Sequence, residues 1–250
     1  MTQDAYEEFA ERYDLFSGGF GEPDPAVVEF FRKILSDNQV RTVLDCACGT
    51  GSSLHLLHTL GFEVIGSDIS DAMLHQAKKN LAEKGIEIVL KNADYRQLSH
   101  HFSQKFDAVL CLGSSILEMP DDSEALKAFQ SMYAVLKDNG VLILTQGTSD
   151  RQWKEKPRFI LAINNSDLSR LFVIDYLDDR NARYNILDIV RDGTVSCLKV
   201  WSRNLHVLLR DDQERLLKSA GFKSVEFFGS YKFAPYDKET SNRLITVARK

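Results

Sequence analysis

The chain reads as an α/β protein, a mostly parallel seven-stranded sheet with helices on both faces and an antiparallel β insertion after the fifth strand. Three observations predict this. From about residue 42 to 146 short β-branched apolar runs alternate with amphipathic segments, the pattern of strands buried on both faces and covered by helices. From 157 to 209 the helical period disappears, and strand-like runs are separated by turn residues. Beyond 210 a helical stretch and two further runs complete the main sheet.

Each element follows from its residues. Thr42 to Cys46, Glu63 to Ser67, Ile86 to Leu90, Phe106 to Leu112 and Val141 to Gln146 read as the five parallel strands. Between them Ser52 to Leu60, Asp71 to Lys84 and Asp122 to Leu136 read as helices; Asp71 is suited to start one, Gly85 to stop it, and Ala125, Phe129, Met132 and Leu136 recur at helical spacing. In the insertion FILAI, LFVIDYL, YNILDIV and VSCLKVW alternate with Asn164-Asn165, Asp178-Asp179 and Asp192-Gly193. The Asp-Gly pair is the strongest hairpin signal in the chain. A helix over Asp211 to Ala220 and strands over Ser224 to Phe228 and Leu244 to Ala248 return to the main sheet. The expected organisation is therefore an N-terminal helical cover over 1–40, a core made of 41–156 and 210–250, and a substrate cover over 157–209.

Composition narrows the class of partner. The 250 residues are 44% hydrophobic and 27% charged, enough for one sizeable core. The net charge of -5 and the lack of a Lys/Arg block leave nothing to neutralise a long nucleic acid, so a small-molecule partner is expected and no nucleic acid. No run approaches the roughly 20 apolar residues of a membrane span, and the acidic start lacks the regions of a signal peptide, so cytoplasmic residence without a membrane partner is the expectation. Cys46, Cys48, Cys111 and Cys197 read as reduced and buried. Cys46 and Cys48 have no second Cys/His pair nearby, and the six histidines are scattered, so no metal is expected.

The chemistry begins in the loop Asp45-Cys46-Ala47-Cys48-Gly49-Thr50-Gly51, between the first strand and a helix opening at Ser52. Gly49 and Gly51 allow positive φ and close approach of a bulky ligand at a helix N-terminus. A dinucleotide loop would place a third glycine where Leu54 stands, which counts against NAD. Asp68 ends the second strand 17 residues after Gly51, where a carboxylate can accept from both hydroxyls of a ribose. Asn92-Ala93-Asp94-Tyr95 follows the third strand; there Asp94 can accept from an adenine amino group, or cap the next helix, and Tyr95 can line the ring. Met73 is a ligand contact or a core residue with equal claim.

Taken in order, VLDCACGTGSS, VIGSDISDAML, NADY and FDAVLCLGSS resemble the motif series of class I S-adenosylmethionine-dependent methyltransferases, and within that class the glycine N-methyltransferase group. The resemblance covers roughly residues 5 to 150 well and implies a Rossmann-like fold with S-adenosylmethionine as cofactor. It also implies that Ala47, Gly49 and Gly51 pass under the methionine and ribose, that Asp45 holds the loop and approaches the methionine amino group, and that Asp68 binds the ribose. Ile69 and Met73 would sandwich the adenine, Asp94 and Tyr95 would mark its edge, and the Leu112 carbonyl would meet the amino group. In the glycine-methylating group an Asn and a carboxylate-binding Arg stand where this chain has Ser114 and Gly147, so a clamp would have to come from Arg151, Arg158 or Arg203.

Methyl transfer from a sulfonium asks mainly for alignment and exclusion of water. Tyr6, Phe9, Tyr13 and Phe16 of the N-terminal region, and the insertion, are the segments available as a cover, with Tyr13 placed over the cofactor; the aromatic spacing equally fits a helix docking on the core. No catalytic residue is assigned; His206 and Tyr231 are weak candidates for proton relay. The expected activity is methylation of a small amine, carboxylate or hydroxyl metabolite. The alternatives are a methyltransferase acting on a macromolecule and a noncatalytic cofactor-binding module. A homo-oligomer is compatible with the sequence, the insertion serving as pocket cover or subunit contact.

Overall fold

The computed structural model describes Asp4, residues 6–17, Phe20, 23–193 and 195–250, with the side chains of Phe16, Ser17 and Asp192 left out. The cover role considered for Phe16 therefore lies outside the described side chains. In chain order, helix α1 (Ala10–Tyr13) runs into a 3-10 turn and is followed by α2 (Pro25–Asp37), β1 (Thr42–Asp45), α3 (Ser52–Thr59), β2 (Glu63–Asp68), α4 (Asp71–Glu83) and β3 (Val89–Asn92). Then come α5 (Leu98–His101), β4 (Phe106–Cys111), a 3-10 turn (Ser115–Glu118), α6 (Asp122–Val135), β5 (Leu136–Gln146) and α7 (Asp150–Glu155). Four strands follow, β6 (Phe159–Asn164), β7 (Leu168–Tyr176), β8 (Asn181–Asp192) and β9 (Val195–His206), before α8 (Arg210–Ser219), β10 (Ser224–Phe228) and β11 (Leu244–Arg249).

The main sheet has the order β3-β2-β1-β4-β5-β11-β10. Only β11 runs against its neighbours: it is antiparallel to both β5 and β10. Alternate residues of each strand face opposite layers. Val43, Leu110, Ile143 and Val247 pack with Phe30, Phe31, Leu35 and Leu57 of α2 and α3. Leu44, Val109, Leu142 and Ala248 pack with Leu98, Phe129, Met132, Leu216 and Leu217 of α5, α6 and α8 on the other face. Apolar side chains on both faces are what makes the strands read as continuous apolar runs.

Three local differences from the sequence reading have identifiable causes. The third strand starts at Val89 and not Ile86, because pairing with β2 begins at Ile65↔Val89 while Ile86 and Ile88 pack against the Leu54–Leu81 cluster. Helix α2 lies within the expected cover, yet its Phe30 and Leu35 are part of the core; Asp24 caps it, accepting from the Ala26 N–H at 2.7 Å, and Pro25 opens it. Helix α7 was not anticipated, although Ser149 caps it through the Gln152 N–H.

The insertion forms a separate antiparallel sheet, β6-β7-β8-β9. Its register aligns Ile160, Phe172, Ile186 and Trp201 across all four strands. Buried polar pairs tie it to the rest. Arg170 donates to both carboxylate oxygens of Asp188 at 2.6 and 2.8 Å, and Arg12 of α1 donates to the same carboxylate at 2.6 Å. Cys46, Cys48 and Cys111 are buried as expected, but Cys197 is exposed, because this end of β9 extends beyond the core. No helix among the described residues is long and apolar enough to cross a membrane.

Candidate active site

The order β3-β2-β1-β4-β5 reverses direction between β1 and β4, and ligands of such sheets bind outside the carboxyl ends of the strands at that point. The loop after β1 stands there. Gly49 and Gly51 have φ of 52° and 91°, in the left-handed region that favours glycine. Gly49 faces a cavity beneath Tyr13, whose Cε1 lies 3.9 Å from where a Cβ would stand. Gly51, expected under the cofactor, instead abuts α4: a Cβ there would lie 3.3 Å from that of Ala77, so the glycine serves helix packing. Asp45 is wholly buried and does not line the cavity; its carboxylate accepts from the Ala47 N–H at 3.2 Å and from the Ser53 hydroxyl, bracing the loop from behind. Burial pushes its carboxyl up to about 6.

The cavity encloses about 230 Å³ and brings together Tyr13, Ala47, Gly49, Asp68, Ile69, Met73, Asp94 and Tyr95. Asp68 accepts from the Gly49 N–H at 2.9 Å and the Ser70 N–H at 3.0 Å. Burial raises its carboxyl despite these bonds. Ile69 projects outward at 61% exposure, whereas Met73 is buried beneath. Asp94 lies in the wall but is engaged by the Arg96 guanidinium at 2.5 to 3.0 Å, and it also accepts from the Arg96 N–H. Burial pulls its carboxyl up, and those bonds outweigh it and hold the group below the usual range. It does not cap α5, which starts after Gln97.

Three further expected contacts are absent from the lining. The Asn92 amide donates to the Ile69 carbonyl at 3.0 Å and to Asp71 at 2.7 Å, fixing the turn after β2. Ala93 is 1% exposed and donates its N–H to the Asp68 carbonyl. The Leu112 carbonyl accepts from both the N–H and the hydroxyl of Ser115, which occupies its lone pairs. Conversely, Cys46, Arg96, Ser115, Glu118 and Met119 join the wall without having been singled out, and Tyr6 does so from the N-terminal segment. Glu118 sits on a short turn whose burial the sequence period does not reveal.

A second cavity, of about 310 Å³, opens between the main sheet and the inner face of the insertion. Its walls are the row Ile160, Phe172, Ile186 and Trp201, together with Phe9, Tyr184 and Leu205; Ser114, Gly147, Thr148, Gln152 and Arg203 supply polar groups. Tyr13 lines both cavities. Its hydroxyl lies 3.4 Å from where a Cβ on Gly113 would stand, so the ring bridges the loops after β1 and β4. Arg203 donates to the Tyr6 hydroxyl at 2.7 Å and pairs with Glu118, and Tyr6 in turn donates to Glu118. Among the described residues the buried Arg203 Nε has no hydrogen-bond partner.

The weak proton-relay candidates are placed elsewhere. His206 bonds Asp122 at 2.8 Å and Asn181 at 3.0 Å, joining the end of β9 to the start of α6. The Tyr231 ring packs against Phe30 and Phe31 of α2, with the Arg243 guanidinium 4.9 Å from its centroid. Neither lines either cavity. Of the three arginines considered as a clamp, Arg151 bonds Glu155 and Asn242 and Arg158 pairs with Asp175, whereas Arg203 reaches the second cavity.

Comparison with known proteins agrees with this geometry. A family described as a methyltransferase domain matches residues 43–140. The chain is 30% identical over 226 residues to a glycine/sarcosine N-methyltransferase of Aphanothece halophytica, covering 89% of this chain and 81% of that one. It is 31% identical over 251 residues to a glycine/sarcosine N-methyltransferase of Parasynechococcus marenigrum (strain WH8102), covering 99% and 85%. The crystal structure of an S-adenosylmethionine-dependent methyltransferase from Clostridium acetobutylicum shares the fold, with a TM-score of 0.80 and 20% identity over 98% of both chains. The chain belongs to the class I S-adenosylmethionine-dependent methyltransferases and is an enzyme with S-adenosylmethionine as its methyl donor. Within that class it stands close to the glycine N-methyltransferase group.

The residues present fit that donor. Gly49 leaves backbone exposed in the cavity floor where a side chain would intrude, and the Asp68 carboxylate keeps lone pairs beyond the two it gives to backbone N–H groups. In the wall Asp94 pairs with Arg96 and Glu118 with Arg203, so Asp68 is left as a carboxylate facing the cavity without an ion pair among the described residues, suited to a cationic donor.

Proposed function

We propose that the enzyme methylates the amine of a small molecule seated in the second cavity, releasing S-adenosylhomocysteine. The observation that carries this reading is the meeting of the two cavities at Tyr13. S-adenosylmethionine supplies a methyl group already activated on a sulfonium. In this reading Asp68 holds the ribose hydroxyls, Ile69 and Met73 flank the adenine, Ala47 and Gly49 form the floor, and Tyr95 and Asp94 close one edge. Tyr13 and the aromatic wall exclude water and aim the acceptor nitrogen along the line of displacement. A neutral amine needs no strong base, which accords with the apolar surroundings of the acceptor.

An amine is favoured over a hydroxyl or carboxylate acceptor by the N-methyltransferase relatives. Gly147 leaves open the space where a clamp is expected, and the Arg203 guanidinium, which lines the same cavity, is the cation available there for an acceptor carboxylate or carbonyl. A small partner and no nucleic acid accord with the cavity's volume of about 310 Å³ and the net charge of -5. Cytoplasmic residence accords with four free thiols, one of them exposed.

The test is methyl transfer from labelled S-adenosylmethionine to a panel of glycine, sarcosine, bulkier cyclic amines, catechols and carboxylic acids. Saturable transfer to an amine is expected. Transfer confined to protein or nucleic acid, or to an oxygen acceptor, would overturn the proposal. Arg203→Lys keeps the charge but loses the planar fork; its expected signature is a KM for the acceptor raised about tenfold, the loss of one good hydrogen bond.

A further inference from the structure

The insertion sheet has two apolar faces, and the acceptor cavity uses one. Next to the inner row Ile160–Phe172–Ile186–Trp201, the register places Leu161, Leu171, Leu187 and Val200 in a row across all four strands. Successive residues of a strand point to opposite faces, so this second row lies outside. Phe159 extends it on one side, and Ile189 and Leu198 on the other. Phe159 and Leu161 are each 62% exposed, Leu198 61% and Val200 54%, although leucine and phenylalanine are normally buried. Polar residues take over towards both ends of the face: Asp175, Arg183 and Ser202 at one, Ser169 and Arg191 at the other.

From these fractions the outward apolar side chains leave on the order of 600 Å² of surface, at the upper limit of the largest patch on an ordinary monomer and close to the ~800 Å² each partner of a stable complex buries. We infer that this face is a dimer interface and that its occupant is the same face of a second copy of this chain, related by a two-fold axis. The shape supports a second copy. A sheet face with an apolar centre and polar ends can pack against its own copy about a two-fold axis, and two such sheets pack about 10 Å apart. The rim carries both signs of charge, Asp175 and Arg183 at one end and Arg191 at the other, which a two-fold copy can match, and the net charge of -5 disfavours an anionic lipid surface. The same sheet would then hold the acceptor on one side and the partner on the other, so dimerisation stiffens the acceptor wall.

Sedimentation velocity of the full chain over a concentration series tests this. The expected result is a dimer at tens of micromolar, and association weakened about a hundredfold in Leu198→Glu and in Leu161→Glu, the effect of a central interface residue. Both variants are expected to keep the wild-type circular dichroism melt and S-adenosylmethionine affinity, since both side chains point away from the cavities. Should a charged variant fail to fold, Val200→Thr decides, with about tenfold weaker association expected from one buried hydroxyl. A wild-type monomer at tens of micromolar overturns the inference, including one that sediments with vesicles of phosphatidylcholine and phosphatidylglycerol. So does a dimer that none of these substitutions weakens.

Discussion

Asp45, wholly buried, and Asp68, half-buried, are carboxylates at strand ends, and their surroundings give them different work. Asp68 faces the cavity and retains acceptor capacity. Asp68→Ala is expected to weaken S-adenosylmethionine binding by about 1.5 to 3 kcal/mol, the range for hydrogen bonds to a charged group, with the fold intact. Calorimetric titration checks this, and unchanged affinity would remove the ribose assignment. Asp45 faces the protein, and burial lifts its carboxyl to about 6. A raised carboxyl value means that the folded chain holds the proton more tightly than the unfolded one. Stability from this group is therefore greatest below about pH 4 and falls as pH rises towards 6, by on the order of 3 kcal/mol in all. Asp45→Asn mimics the protonated acid. Scanning calorimetry should find its Tm above that of the wild type at pH 7.5 and level with it near pH 4; the reverse order would mean that the ionised form stabilises the loop.

At the scale of elements, the N-terminal segment is held over both cavities by bonds distant in sequence. Arg12 reaches Asp188 of β8, Tyr6 reaches Glu118 and Arg203, Asp14 accepts from Thr50 and Asn80, and Asp4 accepts from Ser70 and the Ala72 N–H. Asp188 and Arg170 are fully buried, so Asp188→Ala would strand a guanidinium in the interior at a cost of about 3–5 kcal/mol. Thermal melting should record a drop of roughly 10 °C. Arg12→Ala leaves the Asp188–Arg170 pair intact. It should shift the Tm by no more than about 2–4 °C, equivalent to roughly 1 kcal/mol, yet weaken the cofactor several-fold by loosening Tyr13. Equal cofactor affinity in wild type and variant would show that α1 does not act as a cover. Asp24 and Pro25 open helix α2 in the same region, but no periodicity separates a helix that docks on the core from one that roofs a site.

For the whole molecule, the loops after β1, β2 and β4 and the N-terminal segment meet around the first cavity, so a cofactor bound there is expected to raise global stability. At about a hundred times its Kd, S-adenosylmethionine adds ~2.7 kcal/mol, which is roughly 5–10 °C in Tm for a chain of this size. NAD at the same concentration should leave the melt unchanged, because Leu54 stands where the third glycine of a dinucleotide loop would be. A larger shift with NAD would contradict the assignment of the cofactor.

The sequence by itself determined the layered α/β core, the antiparallel insertion, the glycine loop and the acidic residue at the second strand end. Those features rest on local periodicity and on backbone conformations that particular residues allow. It also brought Tyr13, Asp68 and Tyr95 into consideration through their positions at strand ends or in the N-terminal segment, and Ile69 through the family resemblance. Only the tertiary structure decided that Gly51 packs against Ala77, that Asp45 braces its loop from behind, and that the Leu112 carbonyl is taken by Ser115. Likewise it carried His206 to Asp122 and Tyr231 to Phe30, and paired Glu118 of the first cavity with Arg203 of the second. Local pattern fixes which face of an element is apolar. Which polar group across the fold satisfies a given side chain depends on register and packing between elements far apart in the chain, and these exist only once the layers have met.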